Sequence, residues 1–549
     1  MMFRIGIDFD NTIACYDQAF NDVASLLGLK SDDQPASKID VKALVLEKVN
    51  GDLDWQRLQG QVYGKHMLLA KVFAGFHEFL YLSKLRGHEV FIVSHKSEFG
   101  HFDKEFVPLR EQAILWLTNN MIFQQNEFAL SKEHVFFEST REDKVRRIRH
   151  LACTHFIDDL PEVFEESLFP DNVQKIWFCP SGAGEKELAI PAVGSWRELT
   201  NKLHGSWSDS EVCHIVRATF PSLGVTKAEH RSGRGNSRVY KLTAEHEADY
   251  FLKIYPDLQI DFRRRLETEF AACQVLKGRA YHVAEAVAAD EHLGWGIYNW
   301  IPGDPIETPD EQFLISATEF VQRLYCDSRS GDGFNQFNEA SEACLSGSEI
   351  TRQIQERLQK LQTVQSEELI KFLAQDLIPS VAATVQFAKH TCGQIFDAAL
   401  NRSLQVPSPS DFGSHNALRD GAGSVTFIDF EYFGWDDPVK LVSDFYWHPG
   451  MNLSANLRKQ WIFNSLTIFR EDQTFARRLS AYLPLYGLRW CLIILNEFLK
   501  VGVARRSHVD VTKADMLTDI RSRQLSKAKL LLQTIKELTH DDGSAIQAT

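Results

Sequence analysis

Asp8 and Asp10 stand two apart in Asp8-Phe9-Asp10-Asn11-Thr12, directly after the apolar run Phe3 to Ile7. In an extended strand they share a face, and where the strand stops a turn can bring both into one pocket. Two carboxylates so placed can act as a nucleophile and a general acid/base. Thr12 and Ser94 supply hydroxyl donors, Lys144 a cation, and Asp158 with Asp159 further oxygen ligands for a hard cation such as Mg²⁺. A second group follows. Lys253 lies in the apolar run Tyr250 to Tyr255, and Glu269 comes sixteen residues later in a helical stretch. Asp411 and Asn416 are five apart, with Asp429 thirteen residues beyond Asn416. A Lys–Glu ion pair would fix an amine for nucleotide phosphates, and the Gly-rich segment holding Gly233, Gly235, Asn236 and Ser237 would cover them with backbone amides. In such a site Asp411 accepts a hydroxyl proton while Asn416 and Asp429 hold Mg²⁺. Phosphoryl transfer needs both inventories.

The first group must be positioned by strands. Three short apolar runs, Phe3 to Ile7, Glu89 to Val93 and His155 to Ile157, each stop at a polar residue, as buried parallel strands with functional carboxyl ends do. Helical patterns at Phe79 to Arg86 and Arg141 to Leu151 lie between them, which indicates a doubly wound α/β sheet. About 80 residues separate Thr12 from Ser94, with helical stretches at Asn21 to Leu27 and Trp55 to Ala74. The polar run His204 to Ser210 reads as a domain boundary. Beyond it come a Gly-rich segment from Arg231 to Lys241, a strand over Tyr250 to Tyr255 and a helix over Arg263 to Leu276. From Asp310 the chain reads as mostly helical, interrupted by the turn-rich Val406 to Asn416 and a strand at Val425 to Ile428. The tail after His540 reads as frayed.

Taken in order, Asp8, Asp10, Thr12, Ser94, Lys144, Asp158 and Asp159 resemble the haloacid dehalogenase (HAD) superfamily of phosphatases. The resemblance implies a doubly wound α/β domain over 1–203 with a helical cap at about 14–75. It makes Asp8 the nucleophile that forms an aspartyl-phosphate and Asp10 the acid/base, whose presence favours phosphomonoesterase activity. Ser94 and Lys144 would bind the phosphoryl group, and Asp8, the Asp10 carbonyl, Asp158 and Asp159 would hold Mg²⁺. A closing cap leaves room only for a small substrate. The second group resembles the kinase-like fold in its aminoglycoside phosphotransferase and choline kinase branch, as does Gly434-Trp435-Asp436-Asp437-Pro438 followed by Asp444. It implies an α+β bilobal domain over 211–549 after a linker at 204–210, with a small lobe at about 211–302 and a helical lobe at about 303–540. Ile297 to Gly303 resembles the hinge that presents backbone groups to adenine. Tyr486, Trp490 and Trp447 are candidates for an acceptor pocket. Two departures stand out: Pro409 occupies the position, two before Asp411, where the branch has His, and His415 precedes Asn416 where Gly is common.

With 549 residues, three to four folding units are expected. The net charge of −14 offers no basic field for a nucleic-acid backbone, and the longest apolar stretch, near Cys491 to Leu495, is short of a membrane span. Nine scattered cysteines without a CxxC pair read as reduced thiols of a cytoplasmic protein. Asp429-Phe430-Glu431, in place of Asp-Phe-Gly, weighs against a protein kinase. The expectation is a bifunctional enzyme that uses Mg²⁺ and ATP (or GTP). One domain hydrolyses a phosphomonoester and the other phosphorylates a hydroxyl on a sugar, polyol or amino alcohol. The competing expectations are an antibiotic-modifying aminoglycoside kinase, and a nucleotide- or phospholigand-sensing regulatory protein with one inactive domain.

Overall fold

The computed structural model describes residues 2–31, 37–100, 105–123, 128–180, 190–231, 237–245, 248–256, 263–330, 333–499 and 514–540. After β1 (Arg4–Ile7) the chain forms a two-stranded antiparallel stem, β2 (Ala14–Cys15) with β3 (Lys71–Val72). The stem carries α1 (Asp17–Leu26), α2 (Lys38–Leu46) and α3 (Gly51–Tyr63) outside the main sheet. The helical expectation over Trp55 to Ala74 therefore fails past Tyr63, where Gly64 ends the helix and the chain returns through the stem. Then come α4 (Phe76–Leu85), β4 (Glu89–His95), α5 (Leu109–Asn119), β5 (Val135–Glu138), α6 (Arg141–His150) and β6 (His155–Asp158). The unit ends with α7 (Pro161–Phe164), β7 (Gln174–Phe178), β8 (Ala192–Val193) and α8 (Trp196–Leu203).

Six strands pair in the order β5-β4-β1-β6-β7-β8, all parallel. Alternate residues feed two apolar layers: Val90 and Ile92 pack on one side, Phe91 and Val93 on the other. That alternation buries both faces, which a parallel sheet requires. Gly6 is needed in β1 because a Cβ there would meet the Phe156 ring at 2.6 Å. The chain leaves β1 in both directions, so the crevice at the carboxyl ends of β1 and its neighbours is the topological switch point.

The next unit opens with α9 (Asp209–Thr219), started by a capping box of Ser208 and Glu211. An antiparallel sheet follows, β9 (Val225–Arg231), β10 (Arg238–Ala244), β11 (Tyr250–Ile254), β12 (Ala286–Asp290) and β13 (Trp295–Asn299), in the order β12-β13-β11-β10-β9. Between β11 and β12 lies α10 (Arg265–Gly278). The expected linker is not loose. His204 and Trp207 are buried, and Arg86 bonds Glu211 and the carbonyl of His204. Residues of α4, α8, α9 and the small sheet share one apolar core, so the two units pack as a continuous body. Inside that seam Glu78 of α4, 3% exposed, takes hydrogen bonds from Trp207 Nε1 and from Arg238 of β10 (2.9 Å), with Arg197 3.9 Å away.

The last unit holds β14 (Asp304–Pro305), α11 (Glu311–Arg329), α12 (Gly347–Gln362), α13 (Glu367–Phe372), α14 (Ile378–Cys392), β15 (Val406–Ser408), β16 (Ala417–Arg419), β17 (Val425–Phe427) and β18 (Gly434–Asp436). It closes with α15 (Pro438–Trp447), α16 (Ala455–Ile468), α17 (Phe475–Ile494) and α18 (Ala514–His540). The stretch Phe475–Phe498, whose most apolar 18-residue window has a mean hydropathy of 1.2, is apolar and long enough to cross a bilayer, which the sequence reading passed over. Here 78% of its most apolar window is buried, so that surface is spent on the core of this lobe.

Candidate functional site

The parallel sheet places its first group as a cluster. Ile7 is level with Ile92 of β4 and Ile157 of β6, so Asp8, Ser94 and Asp158 leave adjacent strands at the same end. Lys144 sits in the first turn of α6, where Thr140 caps the helix through the Asp143 amide. Its Nζ lies 2.6 Å from both Asp8 and Asp158. Burial works against the charge of Lys144, but Asp158 and Asp8 outweigh it and raise its pKa. Lys144 is therefore a buried ion-pair partner and not a solvated helix charge like its exposed neighbour Arg146. Burial pushes Asp158 up to about 7 against the pull of Lys144, and raises Asp159 well above the usual carboxylate range. Carboxylate oxygens of Asp8, Asp158 and Asp159 all lie within 4.8 Å of one another, a hard-oxygen set that fits Mg²⁺.

Sequence reasoning missed two lysines here. Lys96, just past β4, lies 2.9 Å from both oxygens of Asp10, which also accepts from Tyr16 Oη. Lys38, on the stem-borne helix α2, bonds Asn11 at 2.8 Å and Tyr63 Oη at 3.0 Å and faces the Phe20 ring. Neither lies in a recognisable motif; only the packing that sets Lys96 against Asp10, and Lys38 against Asn11 and Tyr63, marks them. Thr12 and Ser94 are both buried, but Thr12 Oγ1 has no partner and the Thr12 carbonyl instead holds Trp196 Nε1.

The second group gathers in the cleft between the small sheet and the helical lobe. Lys253 of β11 reaches Glu269 of α10 at 2.7 Å, Asp429 at 2.6 Å and Glu431 at 3.0 Å. Tyr255 Oη also donates to Glu269, on the same Oε2 that Lys253 contacts. Burial opposes the charge of Lys253, and the three carboxylates overcome it. Burial pushes Asp429 up to about 7, helped by Glu431 and Glu269. Asp429 has φ +70°, a left-handed conformation uncommon for a non-glycine residue. Glu431, which the sequence reading used only to argue against a protein kinase, is a third acid on Lys253 and also binds Arg265. Gly233, Gly235 and Asn236 lie outside the described residues; Ser237 is described, and its buried hydroxyl has no partner. Phe251 shares the strand face of Lys253 and stacks on Tyr298 at 5.0 Å. Within the expected hinge, Ile297 and Tyr298 are fully buried core, whereas Trp300 lines a cavity of about 510 Å³.

Asp411 follows Ser410, itself at φ +68°, and faces a cavity of about 190 Å³. Asn416 Nδ2 bonds the Asp411 carbonyl at 2.9 Å. His415 Nε2 lies 2.9 Å from Asp411 Oδ1, and His448 Nε2 3.5 Å from the same oxygen. Burial opposes ionisation of Asp411, but these imidazoles bring its carboxyl down to about 2. Of the three aromatic candidates only Trp490 lines the cavity. Tyr486 and Trp447 are buried in the helical core, as aromatic residues at helical spacing usually are. Apart from Asp411, the acids of the cavity wall are already paired with cations. Glu342 pairs with Arg489 (2.7 Å) and Arg357, and Asp444 with Lys440 (3.3 Å), Arg489 (3.4 Å) and Trp490 Nε1 (2.9 Å).

A β-sheet lobe with a Lys–Glu pair, set over a helical lobe that carries Asp, Asn and Asp on adjoining loops, is the kinase-like phosphotransferase arrangement. In agreement, residues 228–473 match the family model described as Phosphotransferase enzyme family. No curated protein matches the chain. Among solved structures it is similar to choline kinase LicA from Streptococcus pneumoniae, at 14% identity and a TM-score of 0.40, covering 58% of this chain and 98% of that one. It is also similar to spectinomycin phosphotransferase (12%, TM-score 0.42, 60% and 99%). A third is ethanolamine kinase from Plasmodium vivax (14%, TM-score 0.40, 62% and 95%).

Proposed function

We propose that the C-terminal region is an ATP- or GTP-dependent kinase for a hydroxyl on a small, neutral, polyhydroxylated molecule, and that the parallel-sheet unit is a HAD-type phosphomonoesterase. The observation that carries the kinase reading is the Lys253 amine held among Glu269, Asp429 and Glu431, in the same cleft as Asp411 and its cavity. Lys253 would contact the donor phosphates. The acceptor hydroxyl gives its proton to Asp411 as its oxygen bonds the γ-phosphorus; the bond to the bridging oxygen breaks and the nucleoside diphosphate leaves. Asn416 and Asp429 offer oxygens suited to Mg²⁺, which would offset charge on the phosphates. The cavity favours a neutral acceptor. Three acids (Glu342, Asp411, Asp444) face three cations (Arg263, Lys440, Arg489), and Trp490 supplies a flat face for an apolar sugar surface. A cationic aminoglycoside would need unpaired carboxylates, and Glu342 and Asp444 are already satisfied.

In the first unit Asp8 would attack phosphorus, the ester P–O bond would break, and Asp10 would give its proton to the leaving oxygen. Asp10 would then take a proton from the water that opens the aspartyl-phosphate. The buried triad of Asp8, Lys144 and Asp158 at the switch point supports this reading. Two opposed reactions at one position would only consume nucleotide, so the two sites act on different positions of related metabolites. Nine scattered cysteines without a CxxC pair support a reducing, cytoplasmic setting. The test is a pair of screens on the full chain: nucleotide with sugars, polyols, amino alcohols and aminoglycosides, and separately a panel of phosphomonoesters. Asp411→Asn should silence only the first and Asp8→Asn only the second. Hydrolysis that survives Asp8→Asn removes the phosphatase assignment.

A further inference from the structure

We infer that His415 and His448 are paired positioning residues for Asp411, standing in for the histidine that Pro409 displaces; this rests on the kinase reading above. Their rings stack at 3.7 Å with 7° between planes, and both Nε2 atoms address the same oxygen, Asp411 Oδ1. The hydrogen-bond pattern sets the proton positions. The Gly450 amide donates to His448 Nδ1 at 3.1 Å, so the neutral ring must carry its proton on Nε2, aimed at Asp411. His415 Nδ1 is buried without a partner, which leaves its Nε2–H as the donor to Asp411.

Two glycines seat the pair. A Cβ on Gly413 would meet the His415 ring at 2.8 Å, and one on Gly450 would meet the His448 ring at 2.9 Å. Trp490, from the acceptor cavity, packs edge-on against His448 at 4.7 Å. The His415 N–H holds Oδ1, the His448 N–H stands beside it at 3.5 Å, and the second oxygen is left for the acceptor hydroxyl. A divalent-metal site built from the same three residues conflicts with this geometry. A metal held by these residues would need both Nε2 atoms unprotonated. The Gly450 bond leaves His448 Nε2 protonated.

The test uses the full chain and MgATP hydrolysis without acceptor as the probe. His415→Phe should lower kcat about ten- to a hundredfold, the worth of a hydrogen bond to a charged group, and keep the KM for MgATP within about twofold. His415→Gln, which keeps a donor near the Nε2 position, should recover most of the loss. On an Asp411→Asn background His415→Phe should cost nothing further. Gln no better than Phe, or a full additional loss on Asp411→Asn, would overturn the inference. A second arm needs no turnover: ¹⁵N-histidine NMR should show both rings as Nε2–H tautomers whose signals shift in Asp411→Asn. An Nδ1–H tautomer at His448, or signals indifferent to Asp411→Asn, would also overturn it. A wild-type chain that fails to turn over MgATP removes the kinase reading and leaves the bracing to the NMR arm.

Discussion

Glu78 ties the parallel-sheet unit to the strand that follows the Gly-rich segment, so its removal should be felt on both sides of the seam. The carboxylate is 3% exposed and meets Arg238, Arg197 and Trp207 Nε1. Glu78→Ala strands two guanidinium groups and an indole N–H. Breaking a buried ion pair costs about 3–5 kcal/mol. The Arg238 side chain keeps 28% of its exposure and can turn to water, so the lower end, about 3 kcal/mol, is expected. That is roughly a hundredfold in the folding equilibrium. Urea denaturation followed by tryptophan fluorescence reads it directly, because Trp207 and Trp295 lie at the seam with rings 5.9 Å apart. The wild type should lose the seam signal and the bulk signal in one transition, and Glu78→Ala should bring the midpoint down. Burial works against the Glu78 charge, yet Arg238 and Arg197 hold its carboxyl below the usual range. Its stabilisation is therefore present above the unfolded carboxyl pKa of about 4.3 and is lost as pH falls through the folded value. Glu78→Gln should lose that share of the acid sensitivity. A seam transition well separated from the bulk, with a midpoint unmoved by Glu78→Ala, would refute the reasoning.

Other outcomes follow from the two sites. Lys253→Met should reduce nucleotide turnover by about a hundredfold or more, because it removes the amine proposed to contact the donor phosphates; steady-state kinetics check this. Trp490→Ala should raise the acceptor KM by about tenfold and leave the nucleotide KM unchanged, since Trp490 lines the acceptor cavity alone. Lys144→Met leaves Asp8 and Asp158 facing each other without their shared cation, so phosphomonoester hydrolysis should fall at least about a hundredfold while kinase turnover persists. Lys96→Met frees Asp10 from its ion pair, and steady-state phosphomonoester hydrolysis should fall while nucleotide turnover does not.

Asp8 and Asp158 were legible in the sequence because each stands at the end of a short apolar run, and Lys253 because it lies within one. Glu269 could be assigned Lys253 as its partner because helix α10 follows β11 at ordinary spacing, whereas Lys144 was read as a phosphoryl-binding cation and its pairs with Asp8 and Asp158 came from the structure. What stayed hidden depends on packing between distant segments. Lys38 becomes a site residue only when the stem brings α2 beside Asn11, and Lys96 only when β4 pairs with β1 and sets it against Asp10. Glu78 reads as one more helix acid until α4 meets β10. The run His204 to Ser210 looks like a linker by composition, yet Trp207 and His204 are drawn into a core that no local pattern announces. His448 lies 37 residues beyond Asp411 in sequence and reaches it only through the turn after α15.

The most direct measurement of the central claim is transfer of the labelled γ-phosphoryl of ATP or GTP to a panel of sugars, polyols and amino alcohols by the full chain, with Asp411→Asn alongside. A phosphorylated neutral polyol from the wild type, falling by several orders of magnitude in Asp411→Asn, is the result expected. Transfer that continues undiminished in Asp411→Asn, or no transfer to any hydroxyl in the panel, contradicts the account.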